Sequence, residues 1–184
     1  MTINSKIINY FFKQAEIGNW DKVNLIEVEK KLKLKKNVLN NLLSDKIFFL
    51  KHYDRFIDKK VMKSISKEDI DESTSDEIIQ EYIMNKLDFM NEHKFGISNI
   101  INYYYKNPKF ILISLKSSKK SMTLYLKKIS SNNSIIQQKL LEKAILIVYL
   151  LAFKKWLYED NSNNSSFALI DKGIKRIKKS TNFF

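Results

Sequence analysis

The sequence predicts an all-α protein of about nine helices: a three-helix N-terminal head of helix-turn-helix type, then a larger C-terminal helical bundle. Three observations lead there. The 184 residues hold three glycines and one proline, too little turn chemistry for a sandwich or barrel. Apolar side chains recur at one-turn spacing in segment after segment. Hydrophobic residues at 44% and aromatics at 12% supply a core, and a chain of this length buries roughly 70% of its unfolded surface.

Ile7, Ile8, Phe11 and Phe12 place an amphipathic helix over 4–17, ending near Gly18, with Trp20 in the loop beyond. Asn24 caps a short helix to about Leu32, with Glu27 three positions on as a capping-box partner. The basic turn Lys33–Lys36 leads into a second short helix, 37–43. Ser44 or Asp45 caps the next, which carries Ile47, Phe48, Leu50, Phe56 and Ile57 to about Met62. The polar, acidic segment 64–76 then divides a head, 1–63, from a body, 77–184. Body helices are expected at 76–91 and 95–106. Another, 108–130, is opened by Pro108, where a missing amide proton costs nothing, and has a candidate break near Ser117–Ser118. After a loop at Asn132 and Asn133, a long helix spans 134–158. A last helix, 165–179, sets Phe167, Ile170, Ile174 and Ile177 on one face. The apolar run Ala144–Phe153 is half the length of a membrane span, so it reads as a buried core helix. The first residues lack a continuous apolar core and a cleavage site, so the chain is expected to be soluble and cytoplasmic.

The net charge is +13, from 33 basic and 20 acidic residues, which favours polyanionic partners: nucleic acid or an anionic membrane surface. Only Arg55 and Arg176 are arginines. Residues 1–60 are basic, 61–100 acidic and 101–184 basic again. With no cysteine, the chain has no disulfide scaffold, thiolate metal site or cysteine nucleophile. His52 and His93 are too few for a histidine-rich metal cage, and Gly18, Gly96 and Gly173 stand alone rather than in a phosphate-cradling loop. Asp69, Asp71, Ser73 and Ser75 resemble a calcium loop, but Thr74 and Gln80 stand where its glycine and last glutamate belong. No enzyme, metal or cofactor is therefore expected.

Residues 4–62 carry the functional signal. Two short helices joined by a tight basic turn fit a helix-turn-helix, and equally an ordinary three-helix packing unit. The stretch GNWDKVNLIEVEKKLKLKKNVLNNLLSDKIFFL resembles the N-terminal domain of TetR-family regulators, with Gly18, Trp20, Val23, Leu25, Val28, Leu34, Leu39, Leu43 and Lys46 on matching positions. Lys33 stands where that family usually has glycine, and Asn40 where it has a DNA-contacting tyrosine. The resemblance implies that Asn24 caps the first short helix, that Lys35, Lys36, Asn37 and Asn41 face DNA, and that Lys46 sits on a phosphate. Asn37, Asn40 and Asn41 suit adenine edges, so an AT-rich site is expected.

The rest of the chain, including SDEIIQEYIMNKLDFMNEH, KSMTLYLKKI and the stretch from Lys143 to Ile177, resembles TetR-like bodies. The tail is also similar to the Coq-nine lipid-binding family of ubiquinone biosynthesis, through Tyr149, Trp156, Leu157, Asp160, Leu169, Asp171 and Ile177. Three readings follow. The first is a homodimeric transcriptional regulator with an apolar effector in its body. The second is a lipid-binding accessory protein with a vestigial head, its basic body touching anionic membranes. The third is a plain interaction domain. Phe110, Met122, Tyr125 and Tyr149 are the expected pocket residues, and in the regulator reading the TetR resemblance implies a dimer face on the last two long helices, with Leu150, Phe153, Trp156 and Ile174 as candidates.

Overall fold

The computed structural model describes residues 3–66, 72–129, 135–160 and 162–180, and among these every regular element is helical. Asp69, Asp71, Asn132 and Asn133 lie outside the described residues. Three short or medium helices come first: α1 (Ser5–Glu16), α2 (Leu25–Lys31) and α3 (Val38–Leu43). A 3-10 turn, Lys46–Phe48, leads into α4 (Phe49–Ser64). Then follow α5 (Ser75–Met90), α6 (Lys94–Tyr104), α7 (Pro108–Ile129), α8 (Ile135–Tyr158) and α9 (Asn164–Ser180). The caps are those that local chemistry dictates. Asn4 and Asn24 accept N–H bonds from Ile7 and Ile26, and Asp45 accepts from Ile47. Glu77 reaches back to accept the N–H of Thr74 at the start of α5. α7 runs through Ser117–Ser118 without the expected break.

The residues group into two compact units, 1–57 with 92–117, and 58–91 with 118–184. This differs from the division at 64–76 that composition suggests, because α6 packs on α1 and so joins the N-terminal helices. Unit 1 is built on aromatic rings. Phe11 stacks on Phe49 at 4.6 Å, and Trp20 lies 5.9 Å from Phe11. Phe12 meets Tyr53 edge-on at 4.7 Å and stacks on His93 at 4.4 Å, so that histidine packs against the edge of the core. The close approach of α6 to α1 requires Gly96, where an added Cβ would stand 2.7 Å from the Phe12 ring.

Unit 2 is built on α5, α8 and α9, with the later parts of α4 and α7. Ile170, Ile174 and Ile177 of α9 are buried, and α9 packs on α8 and α5. Gly173 lets α9 approach Val148, which an added Cβ would meet at 2.8 Å. Trp156 is fully buried, its indole N–H donating to Asn91 Oδ1 at 2.7 Å. The run Ala144–Phe153 is not buried all round as its composition suggested. Ile145, Val148, Tyr149 and Ala152 are interior, but Ile147 is 57% and Leu151 53% exposed, because α5 and α9 cover only part of α8. With Ile136, Leu140 and Tyr158 they leave exposed apolar side chains along the helix. Among the described residues no helix is long and apolar enough to cross a membrane.

One ion pair ties the end of α9 to the start of α5: Lys178 Nζ lies 2.7 Å from Asp76 Oδ2. Burial pushes the Asp76 carboxyl up, but hydrogen bonds from Lys178, Thr74 and its own backbone outweigh that and hold it below the usual range. A carboxyl depressed in the folded state contributes stability above its unfolded pKa, about 3.9, and that stability is lost as pH falls through the folded value. Thermal melts between pH 7 and pH 3 should show Lys178→Ala costing about 1 kcal/mol or less at neutral pH. The difference from wild type should narrow towards the acid end.

Candidate functional site

α2 and α3 have seven and six residues, well under the roughly 12 that an isolated helix needs. Their partners hold them in place. Val28, Leu39 and Leu43 are buried in unit 1, and Lys6 Nζ donates to the Leu32 carbonyl at the end of α2. Glu29 is the central group. Its side chain is 4% exposed, and its carboxylate accepts the Leu39 N–H at 2.6 Å and the Asn37 N–H at 3.0 Å. A charge on α2 therefore caps the first turn of α3 and fixes the angle between the two helices.

Because Glu29 does the capping, the Asn37 side chain makes no cap bond and is exposed. Lys35, Lys36 and Asn41 are exposed too, and Asn40 is half-buried. Asn24 is exposed, with its side chain spent on the Ile26 N–H. The turn thus presents its polar groups together at the start of α3. Lys33 and Asn37 both have positive φ, 53° and 65°. Only glycine adopts that conformation without cost, and Lys33 is the position where the TetR resemblance expects glycine.

Lys46 is placed differently from the expectation. Its ammonium donates to the carbonyls of Trp20 at 2.8 Å and Asp21 at 2.7 Å, and lies 6.0 Å from the Trp20 ring. Burial pulls its pKa down, with Asp21 and Asp45 opposing. It fastens the loop after α1.

The expected pocket residues divide between the units. Phe110 is in unit 1, stacked on Tyr104 at 4.9 Å. Met122, Tyr125 and Tyr149 are buried in unit 2, where Tyr125 stacks on Tyr82 at 3.8 Å and donates to the Ile78 carbonyl. Beside them is a buried polar cluster. Lys86, fully buried, pairs with Asp58 at 2.6 Å and lies 5.4 Å from the Tyr149 ring centre. Tyr82 donates its hydroxyl to the same carboxylate at 2.8 Å, and Ser121 donates to its other oxygen. Among the described residues no three histidine, aspartate or glutamate side chains gather as a metal site. Of the expected dimer face, Trp156 and Ile174 are interior to unit 2, whereas Leu150 and Phe153 are half-buried. α8 exposes Ile147 and Leu151 instead.

Glu29, Asp58, Lys86 and Ser121 were not singled out from the sequence, although the signal was present. Lys86 continues the apolar spacing Ile79, Tyr82, Ile83, Leu87 on α5, and Asp58 and Ser121 likewise stand one turn before Val61 and Tyr125. A charged or hydroxyl residue on a core face is a buried polar group in waiting. Comparison of the chain with protein-family models, with curated proteins and with solved structures finds no match.

Glu29→Ala leaves the Asn37 and Leu39 N–H groups at the start of α3 without their acceptor, that of Leu39 buried, and should cost about 2–3 kcal/mol in urea denaturation. Lys33→Gly relieves the left-handed backbone and should gain about 1 kcal/mol by the same measurement. A loss there would mean that the lysine side chain contributes more than its backbone costs.

Proposed function

We propose that the chain is a TetR-like, DNA-binding transcriptional regulator that acts as a homodimer. The observation that carries this is the buried Glu29 carboxylate. It caps α3 from α2 and so leaves Lys35, Lys36, Asn37 and Asn41 exposed together at the head of a short helix. A six-residue helix is about 9 Å long and fits a major groove about 12 Å wide, with lysines on flanking phosphates and asparagines on adenine edges. The left-handed Lys33 supports the same reading, since it stands where the family's turn carries glycine. Unit 1 is also strongly basic, with fifteen basic against seven acidic side chains.

In this reading α8 supplies the contact with a second copy through Ile147 and Leu151, with Leu150 and Phe153 beside them. The effector belongs to unit 2, near Met122, Tyr125 and Tyr149. The lipid-binding alternative draws on α9 as an interfacial helix, and burial of Ile170, Ile174 and Ile177 takes that apolar face away from any membrane.

The test is binding to an AT-rich duplex over a salt series, by fluorescence anisotropy. Log affinity should fall against log salt by roughly 0.9 per phosphate neutralised. Changing Lys35 and Lys36 together to alanine should weaken binding and flatten the slope by about two. An unchanged affinity and slope in that double variant would remove α3 and its turn from the interface and end the regulator reading.

A further inference from the structure

We propose that unit 1 carries a second nucleic-acid surface, separate from α3, that takes unpaired strands. It is formed by the start of α4 and the turn from α6 into α7. Tyr103 and Tyr105 offer exposed faces for bases, and Lys51, Lys106 and Lys109 hold the phosphates.

The electrostatics point to a polyanion. Lys51 from α4 and Lys109 from α7 both place their ammonium groups over the Phe48 ring, at 5.2 Å and 5.6 Å from its centre. Lys106 lies over Tyr105 at 5.2 Å. Among the described residues none of these three lysines is paired with a carboxylate. Residues 93–117 contain no acidic side chain at all. Lys51 and Lys109 thus set two unpaired cations about one ring, and a phosphate at that edge is attracted by both. A cation–π contact at the half-buried Phe48 or the exposed Tyr105 is weak enough to exchange for a phosphate.

The rings point to bases rather than to phosphate alone. Tyr103 is 51% and Tyr105 60% exposed. Tyr103 is held edge-on against the buried Tyr104 at 4.8 Å, and Tyr104 stacks in turn on the buried Phe110. An exposed ring with rigid backing loses little freedom when it is covered. Bases inside a duplex already stack on one another, so only unpaired nucleotides have a free face for such rings. The surface shares no residue with Lys35, Lys36, Asn37 and Asn41, and it stands whether or not α3 reads a duplex.

The experiment uses the full chain and three labelled probes: a dT 15-mer, an rU 15-mer and an AT-rich duplex of the same length. Changing Tyr103 and Tyr105 together to alanine should weaken single-strand binding by about tenfold or more and leave duplex binding unchanged. Changing both to phenylalanine should keep single-strand binding, because the stacking face remains. Lys35→Ala with Lys36→Ala should leave it unchanged as well, which separates this surface from the regulator reading. A preference between dT and rU identifies the strand it serves. Circular dichroism confirms that each variant keeps its helix content. Unchanged single-strand affinity in the tyrosine-to-alanine variant overturns the proposal. So does an equal loss on duplex, or tyrosine-dependent binding confined to anionic phosphatidylserine vesicles.

Discussion

Everything that unit 1 offers to a partner through α3 depends on one carboxylate. Helices of six and seven residues do not persist in water on propensity alone, so α2 and α3 exist because they are held. Apolar contacts through Val28, Leu39 and Leu43 hold them against the core but do not fix how α3 is turned. Glu29 does, since two N–H groups in fixed positions must both meet its oxygens. A buried carboxylate is costly without such partners, and that cost is what makes any other arrangement of α3 unfavourable. The polar surface of the turn is exposed because the acid that organises it is not.

Unit 2 applies the same rule in a different setting. Lys86 is buried among Tyr82 and Tyr149, and it persists there because Asp58 faces it and the Tyr82 and Ser121 hydroxyls satisfy that carboxylate. Such a group adds little net stability compared with an apolar residue of the same size. It does fix which faces of the three contributing helices meet, since any other rotation strands a charge. In both units a carboxylate held by several donors does what no amount of apolar packing does: it selects one register.

Most of the helical layout was legible in the sequence, and for identifiable reasons. Apolar spacing and scarce glycine placed every helix but α4 within a residue or two, whereas α4 starts at Phe49 after a 3-10 turn that Asp45 caps. Lys35, Lys36, Asn37 and Asn41, singled out by the TetR resemblance rather than by periodicity, are exposed. What sequence could not supply was long-range pairing. That residues 92–117 join the N-terminal helices depends on Gly96 meeting Phe12, a contact across 84 positions. Lys46 looked like a free cation beside a helix start because the Trp20 and Asp21 carbonyls that engage it lie 25 positions and more away. Trp156 and Ile174 looked available because periodicity identifies an apolar face but not which neighbour already covers it.

All but two of the 33 basic residues are lysines, and burial sorts them into two chemical populations. Lys33, Lys35 and Lys36 stand in solvent, whereas Lys86 has no exposed surface. Acylation of an ε-amine abolishes its charge, which a guanidinium resists. The cationic character of the turn is therefore erasable by amine chemistry, and the internal ion pair is not. A chain acylated under native conditions would keep Lys86 bound to Asp58 while presenting a turn stripped of its positive charge.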